Sequence, residues 1–525
     1  MRKKFLSNSI HILFSFSYSS KMDQTQLHPF IFPTLISLLL LWSITKWFFK
    51  SAGNKKLPPS PPKLPILGNL HQLGSLPHQN LQSLARKHGP LMLLHFGSVP
   101  VLIVSSADAA REIMRTHDLT LGSRPLYKAH KKLVYDGKDV VFAPYGEYWR
   151  QVRSIFVLQL LSNIRVESFR SIREEETALF MKKIRESSGP VNLTKMFSEF
   201  TNDGICRSAF GRKYGESENG KKFLQLLTEL MELLGTISIG DFIPWLSWIT
   251  RVNGFDKRVD NVAKRLDDFL EGVIQERMEI PKGQGVLDKN GENFVDIMLE
   301  IHNENTAGVS IGRDIMKALV LDAFVGGTDT ISTALEWVMT ELLRHPTVME
   351  KLQNEVREIA KDKQDITDND FEKMHYLKAV IKEILRYHPP FPLLVPRVAS
   401  KDVNIKGYDV SAGTVVMINA WAIGRDPTSW NEPEKFQPER FLNSSIDFKG
   451  LDFELIPFGT GRRGCPGIAF SVANIEIVLA NLVQKFNWEL PEGAEGKDLD
   501  MTERPGITVH RDIPLLALAI QSKYC

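Results

Sequence analysis

The spacing of apolar residues along the chain predicts a mostly helical protein. Many segments carry apolar residues three and four positions apart, which places those residues on one face of a helix. These segments are residues 80–88, 107–116, 147–160, 166–186, 221–234, 258–279, 311–344, 347–361, 378–388 and 469–486. Short apolar runs typical of strands are residues 91–95, 101–104, 403–405 and 415–419. Because helices and strands do not alternate strictly, we expect a mainly α fold with a small β portion.

The N-terminal region contains a hydrophobic segment long enough to cross a membrane. Residues 30–45 carry no charge, and the apolar stretch reaches residue 49 if Lys46 is counted as a snorkelling side chain. Further lysines follow closely: Lys50, Lys55, Lys56 and Lys63. The positive-inside rule then places the bulk of the chain in the cytosol. We therefore expect a single-pass anchor at residues 30–49.

Residues 1–29 precede this anchor as an extension. Residues 1–21 are basic, rich in serine and free of acidic residues, as plastid-targeting peptides are. Arg2, Lys3 and Lys4 oppose the orientation inferred from the downstream lysines. Met22 is an alternative start, and we favour an over-extended N-terminus over plastid targeting.

The segment after the anchor, residues 50–66, is basic and rich in proline, which excludes a helix interior or a central strand. We expect a stiff hinge there. No repeat or low-complexity linker interrupts residues 67–525, which predicts one large domain. The formal net charge of +3 argues against a dedicated nucleic-acid binder. The three cysteines, Cys206, Cys465 and Cys525, are far apart and argue against a zinc site or a disulfide framework.

The segment PFGTGRRGCPGIAF, residues 457–470, admits two interpretations. Residues 459–464 match the dinucleotide-binding pattern G-x-G-x-x-G, but the preceding apolar run is short and contains Pro457. Alternatively, the glycines form a turn that presents a thiolate from Cys465 in front of a helix, whose N-terminus favours an anion. A thiolate is one of the axial ligands that hold haem iron. The context favours the thiolate.

The thiolate interpretation coincides with a longer pattern, F-x-x-G-x-R-x-C-x-G. Phe458, Gly461, Arg463, Cys465 and Gly467 fit it, and this segment resembles the haem-ligand signature of the cytochrome P-450 superfamily. The resemblance implies that Cys465 is the axial iron ligand. It also implies that Phe458 shields the sulfur and that Arg463 pairs with a haem propionate.

Other motifs follow in the order that the family has. Trp149 and Arg153 resemble helix residues that contact the propionates, and Arg397 resembles a strand arginine with the same role. Asp329 and Thr330 resemble the pair that organises proton delivery to bound oxygen at a kink in the long central helix. Ile331 departs from the Thr or Ser that many plant relatives have there.

Three more residues resemble a structural element of the family. Glu383 and Arg386 match E-x-x-R, and Arg440 lies in the P-E-R-F element. The resemblance implies that they form a buried triad below the haem pocket. On the sequence alone, the first two are also an ordinary ion pair on a helix surface.

The details resemble a plant microsomal enzyme of the seventy-one clan, with one haem domain behind a membrane anchor in the endoplasmic reticulum. The resemblance implies haem b, dioxygen, and electrons from NADPH through a flavoprotein reductase in the membrane. We expect one oxygen atom to enter a small lipophilic plant metabolite such as a terpenoid or phenylpropanoid. Two alternatives remain: an enzyme of the same fold that dehydrates or rearranges its substrate, for example an aldoxime, and a non-enzymatic haem-binding or electron-carrier protein.

The resemblance also indicates where substrate and reductase bind. The expected pocket draws on residues 121–142, 321–326, 391–395 and 505–507. Arg150 and Arg462 are candidates for the positive surface that meets an acidic reductase.

Overall fold

The computed structural model describes residues 33–39, 42, 55–213, 218–236, 238–279, 293–304, 311–361, 363 and 365–523. The chain divides into two compact units, Met1–Lys55 and Lys56–Cys525. In the first unit, residues 33–39 and 42 are helical. The remainder of the expected anchor, and the extension at residues 1–29, lie outside the described residues.

The second unit is built mainly from helices. In chain order they are α1 Pro77–His88, α2 Ala107–Arg111, α3 Lys128–Leu133, α4 Glu147–Ile155, α5 Asn163–Ser168, α6 Arg170–Arg185, α7 Leu193–Phe210, α8 Glu218–Gly235, α9 Ile239–Phe242, α10 Ile249–Val252, α11 Phe255–Glu279, α12 Phe294–Glu304, α13 Arg313–Gly327, α14 Asp329–Arg344, α15 Pro346–Ala360, α16 His375–Tyr387, α17 Ala420–Ile423 and α18 Ile468–Lys485. The predicted mainly α fold is confirmed.

Four small sheets, counted over the described residues, complete this unit. The strands are β1 Leu91–Phe96, β2 Val99–Val104, β3 Val191–Asn192, β4 Arg397–Val398, β5 Val403–Ile405, β6 Tyr408–Val410, β7 Val415–Ile418, β8 Phe486–Glu489, β9 Glu503–Arg504, β10 His510–Arg511 and β11 Leu516–Gln521. The largest sheet has the order β1-β2-β7-β4, and the others are β3-β11-β8, β5-β6 and β9-β10. All four predicted strands are present. The two-residue strands β3, β4, β9 and β10 are too short to show alternation, and β6, β8 and β11 were not predicted either.

The predicted helix at residues 311–344 is two helices, α13 and α14. The break falls at Thr328, which belongs to neither helix although its backbone stays in the right-handed helical region. Gly326 and Gly327 immediately precede it, and each glycine weakens a helix by about 1 kcal/mol relative to alanine. Periodicity alone does not reveal such a break, because the apolar pattern continues across it.

Helix α14 passes through the core of the domain. Every residue from Ile331 to Leu343 is buried, and Trp337 is 1% exposed. Full burial of one such large apolar side chain contributes roughly 2 to 3 kcal/mol. The helix is therefore a rigid support for anything attached to its first turn.

The buried triad of Glu383, Arg386 and Arg440 is assembled as the resemblance implies. Arg386 forms a bidentate ion pair with the Glu383 carboxylate, with hydrogen bonds of 2.7 Å from Nε and 2.8 Å from Nη2. Arg440 Nε lies 3.2 Å from the same carboxylate. Arg386 also donates to the carbonyls of Gly424 and Pro433, so the buried charges have several partners.

Three helical segments among the described residues are long and apolar enough to cross a membrane: Lys222–Phe242, Arg313–Arg344 and Ile468–Lys485. In the last two, 67% of the apolar window is buried inside the domain. Their apolar character is accounted for by packing within the core.

Candidate active site

The segment that carries Cys465 is a tight loop in front of helix α18. Gly459 and Gly461 have φ values of +63° and +70°, a left-handed conformation that favours glycine. A β-carbon on Gly461 would lie 2.5 Å from the carbonyl oxygen of Met114, so the loop also approaches another backbone closely. The glycines serve this turn and not a dinucleotide, since no β-α-β unit surrounds them among the described residues.

The sulfur of Cys465 is held by backbone groups of its own loop. The Cys465 N–H donates to the Phe458 carbonyl at 2.9 Å, and the Gly467 N–H lies 3.4 Å from Sγ. Burial raises the pKa of the Cys465 thiol, while the Gly467 N–H and the Arg153 charge act in the opposite direction. These two groups favour a thiolate once a metal ion offsets the cost of burial.

Cys465 opens onto a cavity of about 260 Å³. Helices α13 and α14 form one part of the wall, and the segments after α3 and α16 form two others. Helices α4, α7, α8, α12 and α18 also contribute lining side chains. The apolar side chains of the lining include Val134, Val140, Val141, Phe142, Phe156, Ile205, Leu234, Leu321, Val325, Ile331, Phe391, Leu394, Val395, Phe470 and Ile507. The cavity is thus largely apolar, with a few charged groups at defined places.

Most of the predicted site residues line this cavity. They are Arg153, Thr330, Arg397, Phe458, Arg463 and Cys465. Trp149, Gly461 and Asp329 lie behind its wall. Among the expected pocket segments, Phe391, Leu394, Val395 and Ile507 line the cavity, whereas Leu393 instead packs beside the β1-β2-β7-β4 sheet.

Among the described residues, four arginines line the cavity and are here called the cavity arginines: Arg124, Arg397 and Arg463, which are buried, and Arg153, which is half-buried. Arg463 donates to the carbonyls of Gly122, Val140 and Ala143. Arg153 donates to the Gly464 carbonyl at 2.6 Å, Arg397 to the Asp118 carboxylate at 2.7 Å, and Arg124 to the carbonyls of Val141, Val395 and Pro396.

The cavity arginines raise one another's electrostatic energy. Burial, together with the neighbouring charges of Arg397 and Arg153, lowers the pKa of Arg463 to about 9 against the opposing effect of Asp139. Burial and the charges of Arg397 and Arg463 also hold the pKa of Arg124 well below its ordinary value. Such a cluster is stabilised by anions. The two propionates of a haem supply them, so the cavity arginines fit this cofactor.

Trp149 supports the cluster from behind. Its indole Nε1 donates to the Val140 carbonyl at 2.9 Å, and the Arg463 guanidinium lies 4.1 Å from its ring centroid. The sequence assigned Trp149 to the propionates directly. In the structure its contacts are with Arg463 and with the loop that Arg463 also binds.

Thr330 and Asp329 lie at the start of helix α14 but face different surroundings. The Thr330 hydroxyl donates to the Gly326 carbonyl at 2.6 Å and lies on the cavity wall. The Asp329 carboxylate faces the β9-β10 hairpin, where its Oδ1 is 3.0 Å from His510 Nε2. The two side chains thus have different surroundings, and their joint part in proton delivery stays a prediction.

Sequence reasoning did not single out three residues of this region, Arg124, Asp322 and His510, although the first two lie within the expected pocket segments 121–142 and 321–326. Arg124 sits in a loop without periodicity, and His510 is 181 positions from Asp329, so neither shows a local pattern. Asp322 did give a signal, as the polar exception in an apolar run of helix α13. Its Oδ2 accepts the Val140 N–H at 2.6 Å.

A mainly helical domain with a cysteine loop, a kinked central helix and anion-binding arginines around one cavity has the features of a haem-thiolate protein. The family model "Cytochrome P450" matches residues 58–515. Cytochrome P450 71A8 of Mentha piperita is 62% identical over 95% of this chain and 97% of its own length. The chain belongs to the cytochrome P450 family, and it is an oxidoreductase of the P450 monooxygenase type.

Two further comparisons extend this assignment. Tabersonine/lochnericine 19-hydroxylase of Catharanthus roseus is 50% identical over 93% of this chain and 97% of its own length. A zebrafish cytochrome P450 solved with progesterone superposes with a TM-score of 0.72 at 25% identity, covering 85% of this chain and 99% of the other. The expected resemblance to plant enzymes of the seventy-one clan is confirmed.

Proposed function

We propose that this chain inserts one oxygen atom from dioxygen into a small lipophilic plant metabolite, using electrons that a flavoprotein reductase takes from NADPH. The observation that carries the proposal is the meeting of the Cys465 thiol, the cavity arginines and the Thr330 hydroxyl in one largely apolar cavity. Cys465 would hold the iron of haem b, and the cavity arginines would hold its propionates. The haem supplies iron that binds and activates dioxygen.

The chain's own residues would position these parts. Arg153 orients the cysteine loop through the Gly464 carbonyl, and Phe458 covers the sulfur side of the cavity. Since the Thr330 hydroxyl uses its proton on Gly326, its lone pairs remain to accept a hydrogen bond from a group in the cavity. We infer that Thr330 would hold a water molecule that donates one O–H to it and keeps the other available for proton delivery in the cavity.

The lining supports a lipophilic substrate. Phe142, Phe391, Leu394 and Ile507 offer apolar contacts, which bind a terpenoid or phenylpropanoid skeleton better than a sugar or an amino acid. The Catharanthus relative is named as a hydroxylase, which supports hydroxylation here too.

The surroundings of the enzyme follow from the same proposal. The apolar residues 30–49 would anchor it in the endoplasmic reticulum membrane, with residues 50–66 as the hinge and residues 67–525 in the cytosol. Arg150 is exposed and the Arg462 side chain is 49% exposed. Arg462 lies within the cysteine loop, and Arg150 lies one helical turn before Arg153, which contacts that loop. Both would meet an acidic reductase with a rate that falls as salt rises.

The reduced carbonyl complex tests the iron ligand. We expect the red-shifted Soret band that names the family in the wild type and its loss in Cys465→Ser. A variant that keeps both the band and the activity contradicts the assignment.

Labelled dioxygen tests the reaction, because an enzyme that only dehydrates or rearranges its substrate leaves the label out of the product. Turnover with NADPH should require added reductase. If the isolated chain were active with NADPH, the glycine loop would have to be interpreted as a dinucleotide-binding site.

A further inference from the structure

Two faces of helix α14 have different surroundings in its first turns. Thr330 and Ala334, four positions apart, line the cavity. Asp329, Thr333 and Glu336, spaced four and three positions apart, form another face, and all three contact His510 on strand β10. The first face serves the cavity, and the second serves the β9-β10 hairpin.

His510 lies between two carboxylates of the same helix. Its Nε2 is 3.0 Å from Asp329 Oδ1, and its Nδ1 is 3.7 Å from Glu336 Oε2. The Thr508 hydroxyl donates to the other oxygen of Asp329. Both Asp329 oxygens therefore have partners on the side away from the cavity.

We propose that His510 is a positioning residue, which holds the Asp329 carboxylate in an ion pair against the β9-β10 hairpin and thereby controls when Asp329 can move a proton toward Thr330. This rests on the monooxygenase function proposed above. It adds a residue outside the cavity to the proton path.

The charge states of His510 and Asp329 indicate that the ion pair holds the Asp329 carboxylate in place. Burial alone would lower the pKa of His510, but the hydrogen bonds and charges of Asp329 and Glu336 outweigh burial and raise it to about 9. Burial would raise the pKa of Asp329, yet His510 and Thr508 keep it below its ordinary value. A proton therefore stays on His510 while the pair is closed. Asp329 becomes able to accept and pass a proton when the pair opens.

The other charged groups near the pair are few. Arg504 on β9 acts on Asp329, and Arg511, next to His510 on β10, donates its backbone N–H toward Glu336 at 3.4 Å. Glu336 also accepts the Thr194 hydroxyl from helix α7. Among the described residues, His510 is the titratable side chain in direct contact with the Asp329 carboxylate.

The first test measures the pair without turnover. In the holoenzyme with ¹³C-labelled histidine, the resonance absent from His510→Gln should titrate near pH 9. Because the pKa of His510 is higher in the folded than in the unfolded chain, its contribution to stability is complete below about pH 6.5 and is lost as the pH rises through about 9. The melting temperature of His510→Gln should thus fall below that of the wild type at pH 6.5 and match it above pH 9. A titration at or below the ordinary histidine value overturns the proposal.

The second test separates positioning from a structural role. Peroxide released per NADPH consumed, with a plant reductase and no added substrate, should change several-fold in His510→Gln. The double variant Asp329→Asn/His510→Gln should match Asp329→Asn, since His510 acts only through that carboxylate. Additive effects, or an unchanged peroxide ratio in His510→Gln, overturn the proposal.

His388→Gln is the matched control. His388 is also buried and contacts a carboxylate of helix α14, Glu341, at 2.7 Å, but it does not touch Asp329. We expect this variant to lose stability with the peroxide ratio unchanged. If the wild type gave no thiolate-type carbonyl band, the proposed function would fail, while the histidine titration would still report on the ion pair.

Discussion

Asp322 Oδ2 accepts the backbone N–H of Val140 at 2.6 Å, which fastens the central helix to the loop that forms one wall of the cavity. The same loop receives hydrogen bonds from Trp149 and Arg463 at the Val140 carbonyl and from Arg124 at the Val141 carbonyl. One short segment thus connects the substrate side of the cavity with the arginines that fit the haem propionates.

Asp322→Ala should loosen this wall. Removing the acceptor leaves the Val140 N–H without its partner, which costs about 1 to 3 kcal/mol for a buried group. Burial, together with the charge of Asp139, holds the pKa of Asp322 well above its ordinary value. Asp322→Asn, which keeps the acceptor and removes the ionisable group, should therefore retain most of the stability. Thermal unfolding and haem content of the two variants check this. Equal losses in both would show that the charge, and not the hydrogen bond, matters.

Gly461→Ala should disturb the cysteine loop. A β-carbon there meets the Met114 carbonyl oxygen at 2.5 Å, and the left-handed backbone adds roughly 1 to 2 kcal/mol for a non-glycine residue. We expect a smaller fraction of protein with the thiolate-type carbonyl band. Gly467→Ala is the matched control, because its β-carbon would meet only Cys465 Sγ, at 3.9 Å. Equal loss in both variants would mean that backbone strain at Gly461 is not the cause.

The sequence was informative where function requires adjacent residues. The cysteine loop and the Glu383 and Arg386 pair are spaced by the geometry of one turn, so a local pattern identifies them. Arg124, Asp322 and His510 act through contacts between distant segments, such as the 182 positions that separate Asp322 from Val140. Only packing brings these partners together, and packing leaves no fixed spacing in the chain.

Asp329 shows what a motif leaves undetermined. It is adjacent to Thr330 in the sequence, which suggests that the two residues act together in proton delivery. On a helix, adjacent residues point about 100° apart, so the two side chains face different surfaces. The motif therefore identifies both residues and leaves the partner of Asp329 undetermined.

Thr330→Ala should release more peroxide per product formed while still binding haem and substrate. The substitution removes the hydroxyl that donates to the Gly326 carbonyl at 2.6 Å on the cavity wall. Thr330→Ser keeps a hydroxyl at this position and should stay close to the wild type. The measurement is peroxide and product in the reconstituted system. Unchanged coupling in Thr330→Ala would assign proton management to another group, such as Ser332 or ordered water.

Glu476 on helix α18 provides a prediction about stability and pH. Burial raises the pKa of Glu476 to about 7, with Lys378 and Arg173 opposing the rise and Asp368 adding to it. Below the ordinary glutamate value, both the folded and the unfolded chain hold the proton. As the pH rises toward 7, the unfolded chain releases its proton first, and the folded state loses stability relative to it. Above about pH 7 the loss is complete and constant.

Glu476→Gln mimics the protonated side chain and removes this penalty. Its unfolding free energy should equal that of the wild type near pH 4.5 and exceed it by up to about 3 kcal/mol at pH 8, the most that a shift from 4.5 to about 7 allows. Denaturant unfolding at several pH values measures the difference. Glu489→Gln, at an exposed position on the following strand, is the control and should show little change. A difference between Glu476→Gln and wild type that does not vary with pH would mean that the folded protein ionises Glu476 as readily as the unfolded chain does.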